Sequence, residues 1–354
     1  MSDAPAATPP APAGQPVQYI LQPRESLFGR FGKLLLVALV LCVLAMIGMA
    51  GQVQQYFGDG QGPNEKHHSL SRDAADKIAI LKVTGPIIEG DDYVEQQIEK
   101  IERDDAVKAI VLRIDSPGGT VTYSDRLYHK ITQLADEREL PLVVSMGSLC
   151  ASGGYYIAMA VGDQEEAIYA EPTTWTGSIG VVIPSYNVAD AMWWTGVKDL
   201  SVASGDLKLM GSPTRKRSAK EAAIFRGLVR QAFDGFKEVV KAGRPAFRDD
   251  EQALEAVTTG QVFAAKQALE NGLVDRLGFI EEAIERAAEL AGLSTDSVRA
   301  VEYERRLTPI QQFLAAGSPG RPAVAEQGLR GLIELSAPRA YYLSTLAPVW
   351  LASE

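Results

Sequence analysis

Short apolar runs and helix-spaced apolar positions take turns along the middle of this chain. Ile78–Val83, Val107–Ile114, Leu142–Ser145, Ala167–Tyr169 and Ser178–Ile183 have the length and apolar content of strands. Between them, Asp92–Arg103 (Val94, Ile98, Ile101) and Val121–Leu134 (Leu127, Ile131, Leu134) carry the spacing of amphipathic helices. Strands parted by helices predict βαβ units and a largely parallel, buried sheet. The chain then turns helical. Ser218–Ala242 opens on a capping box of Ser218 and Glu221, and Glu251–Val257, Ala264–Asn271 and Ile280–Ala291 follow. After Arg305 the pattern weakens, and residues 317–322 read as a loop. Tyr341–Leu351 is apolar and aromatic again, suited to its own domain, a neighbouring subunit or a membrane surface.

The N-terminal part reads differently. Residues 1–23 are rich in Ala and Pro, too poor in core-forming residues to fold, and predict a disordered tail. Arg24, Arg30 and Lys33 then precede the uncharged run Leu34–Ala50, which with Gly51 is just long enough to span a bilayer. Basic residues on its N-terminal side put the N-terminus in the cytoplasm and residues 60–354 outside. A cleaved signal peptide is the alternative, since Gly48-Met49-Ala50 offers small residues, but the leading segment is far longer than such a leader carries. The expected organisation is a cytoplasmic tail (1–33), a transmembrane anchor (34–51), a polar linker (52–76), a catalytic domain (77–305) and a C-terminal extension (306–354).

Charge and composition narrow the function. A net charge of -10 over 354 residues argues against nucleic acid as a partner. The two cysteines are Cys42, inside the apolar run, and Cys150, so no structural disulfide is expected. Three histidines without clustered Cys or His give no zinc site, and no metal or cofactor is called for.

Candidate chemistry converges on Leu142–Gly154. A strand at Leu142-Val143-Val144 runs through small residues into the helical pattern Tyr155–Ala160, which places Ser152 at a helix start. Free backbone N–H groups and the helix dipole favour developing negative charge there. Ser152 is either an N-cap or a nucleophile. A nucleophile needs a base. No histidine follows Ser152, His67 and His68 lie in the linker, and His129 beside Lys130 reads as a surface residue. Cys150 occupies the first glycine position of the G-x-S-x-G elbow, so a Ser-His-Asp triad is hard to build. Cys150 itself reads as a small core residue. A lysine can act as base where desolvation or neighbouring positive charge favours its neutral form. Lys208, between Leu207 and Leu209 in the glycine-bracketed Ser204–Pro213, is the candidate, though the same flanks suit a snorkelling surface lysine. Gly118 and Gly119, directly after a strand, offer N–H groups to an oxyanion, with Gly153 beside the serine. An ordinary turn would use the same residues.

Five stretches in order resemble bacterial signal peptide peptidase A: IDSPGGTV (114–121), SMGSLCASGGYYIA (145–158), TGSIGVV (176–182), ASGDLKLMGSPTR (203–215) and TGQVFAAKQALENGLVDRLG (259–278). The resemblance covers about residues 77–290. It implies an α/β, Clp protease/crotonase-like fold of repeated ββα units with an N-terminal transmembrane helix. It also implies a serine endopeptidase with a Ser–Lys dyad, acting on hydrophobic peptides such as remnant signal peptides. By position, Ser152 is the implied nucleophile, Lys208 the general base, and Gly119, or less directly Gly118, the oxyanion glycine. The lack of an internal repeat implies the single-domain form, a homo-oligomeric ring in which nucleophile and base meet from adjacent subunits. The rivals are a crotonase-like acyl-CoA enzyme and a non-catalytic membrane scaffold of the same fold.

Overall fold

The computed structural model describes residues 32–43, 62–305 and 341–343. The chain divides into two units, Met1–Gln61 and Gly62–Glu354. In the first, residues 32–43 form helix α1, exposed along its length. Among the described residues, no helix is long and apolar enough to cross a membrane. Most of the expected cytoplasmic tail, and residues 44–51 of the expected anchor, lie outside the described residues.

The second unit is a mixed α/β structure. Its elements run β1 (Asn64–Leu70), β2 (Asp76–Thr84), α2 (Tyr93–Glu102), β3 (Val107–Ser116), β4 (Gly118–Thr120) and α3 (Val121–Glu137). Then come β5 (Leu142–Ala151), α4 (Gly153–Ala158), β6 (Ile168–Ala170), β7 (Trp175–Gly177), α5 (Ala189–Thr195), α6 (Ala219–Gly243) and α7 (Glu251–Val257). The last are β8 (Val262–Ala264), α8 (Ala265–Glu270), β9 (Arg276–Leu277), α9 (Ile280–Leu290), β10 (Val298–Glu304) and β11 (Tyr341–Leu343). The main sheet has the order β1-β10-β2-β3-β5-β6-β9, with β7 pairing β5 and β8 pairing β7. From β10 to β9 every pairing is parallel, and β1 joins β10 antiparallel.

The central strands are apolar without alternation. Ile78, Ala79, Ile80 and Leu81 in β2, and Ile110, Val111 and Leu112 in β3, are all fully buried. Consecutive buried residues mean that both faces of the sheet are covered, as parallel sheets require. Helix α9 packs across β2, β3 and β5, while α2 packs on β2 and α3. Helix α6 carries the expected capping box: Glu221 N–H donates to Ser218 Oγ (3.2 Å), and Ser218 N–H donates to Glu221 Oε2 (2.8 Å). Its end lies so near the turn after α4 that a Cβ at Gly243 would sit 2.7 Å from Met159 Cα. Only glycine permits that approach.

Several elements differ from the sequence expectation. Residues 64–70, placed in the polar linker, form β1 by pairing antiparallel with β10, a partner far away in sequence. The strand expected at Ser178–Ile183 is replaced by the shorter β7, ended by positive φ at Gly177 (84°) and Ser178 (52°). Strand β5 continues through Gly147 and Ser148 to Ala151, because Asp115 at the end of β3 accepts from Leu149 N–H (3.0 Å) and Ser148 Oγ (3.4 Å). The break after β3 holds its own short strand, β4.

Lys77 ties β1 into the domain. Its Nζ, almost buried, donates to Glu65 on β1 and Asp104 before β3, each at 2.7 Å. Burial raises the Asp104 pKa, but the bonds from Lys77 and from Ala106 N–H outweigh it and hold the carboxyl below its usual range. Its stabilising effect is therefore complete at neutral pH and lost as pH falls below about 4. Lys77→Ala, which strands two carboxylates, is expected to lower unfolding stability by about 1–3 kcal/mol in urea titrations at pH 7. The loss of stability of the wild type below about pH 4 should become shallower in this variant.

Candidate active site

The site is built where β3 and β5 end side by side. Ser116 of β3 stands opposite Cys150 of β5, and β7 runs along the other edge of β5, with Cys150 opposite Thr176 and Ala151 opposite Gly177. Thr176 Oγ1 donates to Cys150 O (2.6 Å) and Thr174 Oγ1 to Gly147 O (2.6 Å), fixing the last turn of β5. Ser152 then reverses the chain into α4. Its N–H donates to Gly177 O (2.8 Å), and its backbone takes φ 55°, ψ -113°. This positive φ is rare for a residue with a side chain and is the sort of strain found at sharp strand-to-helix elbows.

The side chain of Ser152 bears on the two roles open in the sequence. It occupies the N-cap position of α4 but makes no capping hydrogen bond. The residue is 1% exposed, and its Oγ has no hydrogen-bond partner among the described residues. A buried hydroxyl without a partner is costly, and native structures rarely keep one unless chemistry or a ligand uses it.

Two glycines bring the β3–β4 turn against this elbow. A Cβ on Gly153 would lie 2.5 Å from Ser124 Oγ, 3.0 Å from Gly119 N and 3.2 Å from Gly118 Cα. A Cβ on Gly154 would meet Ser116 O at 3.1 Å. Gly118, at φ 95°, donates its N–H to Ser116 Oγ (3.1 Å). That N–H is committed inside the turn. The amides of Gly119 and Gly153 are the ones that lie together beside the serine.

Ser124 and Asp115 were not singled out in the sequence. Ser124, on α3, is fully buried with an unpartnered Oγ, like Ser152. Asp115 lies within the IDSPGG stretch, but its role in holding β3 to β5 follows from the β3–β5 register, which local pattern does not reveal.

The candidate bases are placed as follows. His129 is exposed on α3, while His67 and His68 sit on β1, where they bond Leu70 O (3.3 Å) and Ser69 Oγ (3.0 Å). Burial pushes the Cys150 thiol well up, which removes it as a nucleophile at neutral pH. Lys208 stands on a 3₁₀ turn, Asp206–Leu209, with its side chain exposed. Within one chain it does not hydrogen-bond Ser152 Oγ. The segment leading to it is unusually apolar for a surface: Trp193, Trp194, Leu200 and Val202 are at least 80% exposed. An open cleft of about 750 Å³ begins at Ser178, next to Gly177, and is lined by Val182, Phe225, Val229 and Phe233 together with Arg226 and Arg230.

A family model described as peptidase family S49 matches residues 135–294. A putative protease of Synechocystis (slr0021) is 36% identical over 279 residues, covering 78% of this chain and 95% of that protein. A putative signal peptide peptidase SppA of Enterococcus faecium is 34% identical over 212 residues, 60% of this chain and 59% of that one. The chloroplastic serine protease SPPA of Arabidopsis thaliana is 32% identical over 273 residues, 73% of this chain and 39% of that one. The family match takes in β5, the Ser152 elbow, β7 and the Lys208 turn together. On this coverage, the chain belongs to peptidase family S49, the signal peptide peptidase A family of serine proteases.

Proposed function

We propose that this serine protease is a membrane-anchored endopeptidase of the Clp protease/crotonase fold type that cleaves apolar peptides, notably remnant signal peptides. The observation that carries the reading is the buried, unpartnered Ser152 Oγ on a strained elbow beside the amides of Gly119 and Gly153. Ser152 Oγ attacks the scissile carbonyl, and neutral Lys208 accepts its proton. The N–H groups of Gly119 and Gly153 hold the oxyanion of the tetrahedral intermediate. Collapse releases the amine, which takes the proton back from Lys208, and leaves an acyl group on Ser152. Water, deprotonated by the same lysine, then frees the enzyme.

The exposed position of Lys208 supports a dyad assembled between copies. A base that does not reach the serine of its own chain, carried on an exposed apolar segment, suits a neighbour that covers Trp193 and Trp194 and receives the lysine. The homo-oligomeric ring is part of this proposal. So is the anchor at residues 34–51, with the protease domain outside the cytoplasm, where it would meet peptides leaving the bilayer. The apolar residues of the cleft beyond Gly177 suit apolar peptide side chains.

A fluorophosphonate probe is expected to label the assembled protein at Ser152, and Ser152→Ala should remove the label. Ser152→Ala and Lys208→Ala should each lower hydrolysis of a hydrophobic fluorogenic peptide by about 10³-fold or more, with assembly by light scattering unchanged. Wild-type turnover by Lys208→Ala would discard the dyad. If the dyad spans copies, mixed assemblies of the two variants regain part of the activity, whereas a dyad within one chain leaves them inactive.

A further inference from the structure

The turn that carries Lys208 has little burial to hold it. Residues 201–208 are exposed, and Leu209 and Met210 are half-buried. The amides of the turn bond within it: Lys208 N–H donates to Gly205 O (3.0 Å), Met210 N–H to Leu207 O (3.0 Å) and Ser212 N–H to Leu209 O (3.1 Å). A segment with few buried contacts opens at small cost. A base, however, has to stand within hydrogen-bond reach of the proton it takes.

One side chain reaches the turn from beyond it. Arg215 Nη2 donates to the carbonyl oxygen of Leu209, the residue after Lys208, at 2.8 Å. The same guanidinium is gripped by Glu221, with Nη1 donating to Oε2 (3.3 Å) and Nη2 to Oε1. Glu221 is only 2% exposed and lies in the first turn of α6, where Ser218 N–H also donates to its Oε2 (2.8 Å). Helix α6 is anchored further along by Phe236 and Val240, both fully buried. The backbone around Arg215 is pinned as well. Arg215 O accepts from Asn187 Nδ2 (3.3 Å), and Pro213 O from Val188 N–H (2.8 Å) at the start of α5. Arg215 thus joins a fixed helix start to an exposed turn. Its planar fork of donors serves a carboxylate and a carbonyl at once, which the compact ammonium of a lysine does less well.

We propose that Arg215 is a positioning residue for the reaction: a latch, held by Glu221, that sets where the Lys208 turn stands. It acts through Lys208, so its effect on rate rests on the reading of Lys208 as the base. Removing the guanidinium takes away the bond to Leu209 O and lets the turn shift. A catalytic group displaced by about 1 Å costs on the order of 10²-fold in rate. Substrate contacts made elsewhere are untouched, so the loss falls on kcat and not on KM.

The test uses the full chain and Arg215→Ala, Arg215→Lys and the pair Arg215→Ala/Glu221→Gln, which leaves no buried carboxylate unpaired. With a hydrophobic fluorogenic peptide, Arg215→Ala and the pair are expected to lower kcat about 10- to 100-fold, with KM within about twofold. Arg215→Lys should recover part of the loss. Fluorophosphonate labelling of Ser152 should slow by a similar factor. In a Lys208→Ala background, Arg215→Ala should change the residual labelling rate by less than about twofold, because the group it positions is already gone. An equal loss with and without Lys208, wild-type kcat in Arg215→Ala and the pair, or failure of both to assemble by light scattering overturns the proposal. The latch is read separately by amide hydrogen exchange over residues 205–212 in Ser152→Ala forms. Faster exchange on adding Arg215→Ala supports it, and unchanged exchange overturns it. If Lys208→Ala retains wild-type turnover, the dyad fails while the exchange result still decides whether Arg215 holds the turn.

Discussion

Gly153 packs so closely on Ser124 and the β3–β4 turn that a Cβ on it would lie 2.5 Å from Ser124 Oγ and 3.0 Å from Gly119 N. That approach of two backbones sets the positions of Ser152, the Gly119 amide and Ser124 together. It is possible because β3 and β5 are parallel neighbours that end at the same level, Ser116 opposite Cys150. Parallel strands that end together, each followed by a turn into a helix, bring the two turns side by side at one edge of the sheet. The apolar, two-faced burial of β2 and β3 thus has a consequence at the site. It fixes the strand ends rigidly enough for two glycine turns to meet without a gap.

Around this contact the polar groups divide sharply. Those that hold the frame are bonded: Asp115 to β5, Thr174 and Thr176 to the carbonyls of β5, Gly118 N–H to Ser116. Ser152 Oγ and its neighbour Ser124 Oγ are buried hydroxyls with no partner among the described residues. On the proposed role of Ser152, a frame satisfied by its own hydrogen bonds leaves that hydroxyl for substrate, the arrangement that preorganised catalysis needs. Lys208 belongs to the opposite environment, an exposed turn at the end of an apolar surface segment. A lysine in water stays charged, so its use as a base requires a covering surface.

Much of this was legible in the chain, and the limits have physical causes. The buried strands β2 and β3 and the helices α2, α3, α6, α7 and α9 follow from apolar period and capping, which are local properties. Strand β1 did not, because it is polar and its place depends on a partner more than 200 residues away. The full length of β5 was hidden by Gly147 and Ser148, residues that break strands in isolation but are held here by Asp115 and Thr174. Ser152 could be named from its small neighbours and the helix after it, yet local sequence could not separate cap from nucleophile. Its φ, its burial and its missing partner are what support the proposed role. Lys208 could be singled out by its apolar flanks and by the resemblance, and within one chain it makes no hydrogen bond to the serine.

The elbow has one further consequence, for evolution at this position. Holding a serine at φ 55° costs about 1–3 kcal/mol of folding stability, a penalty that glycine would not incur. Replacement of Ser152 by glycine should relax the fold while removing the proposed nucleophile, so on that proposal stability and activity pull in opposite directions at one residue. A lineage released from the need for catalysis would drift toward glycine there. On the proposed role of Ser152, the residue found at this elbow in a relative would be a physical record of whether that copy of the fold is still held to catalysis.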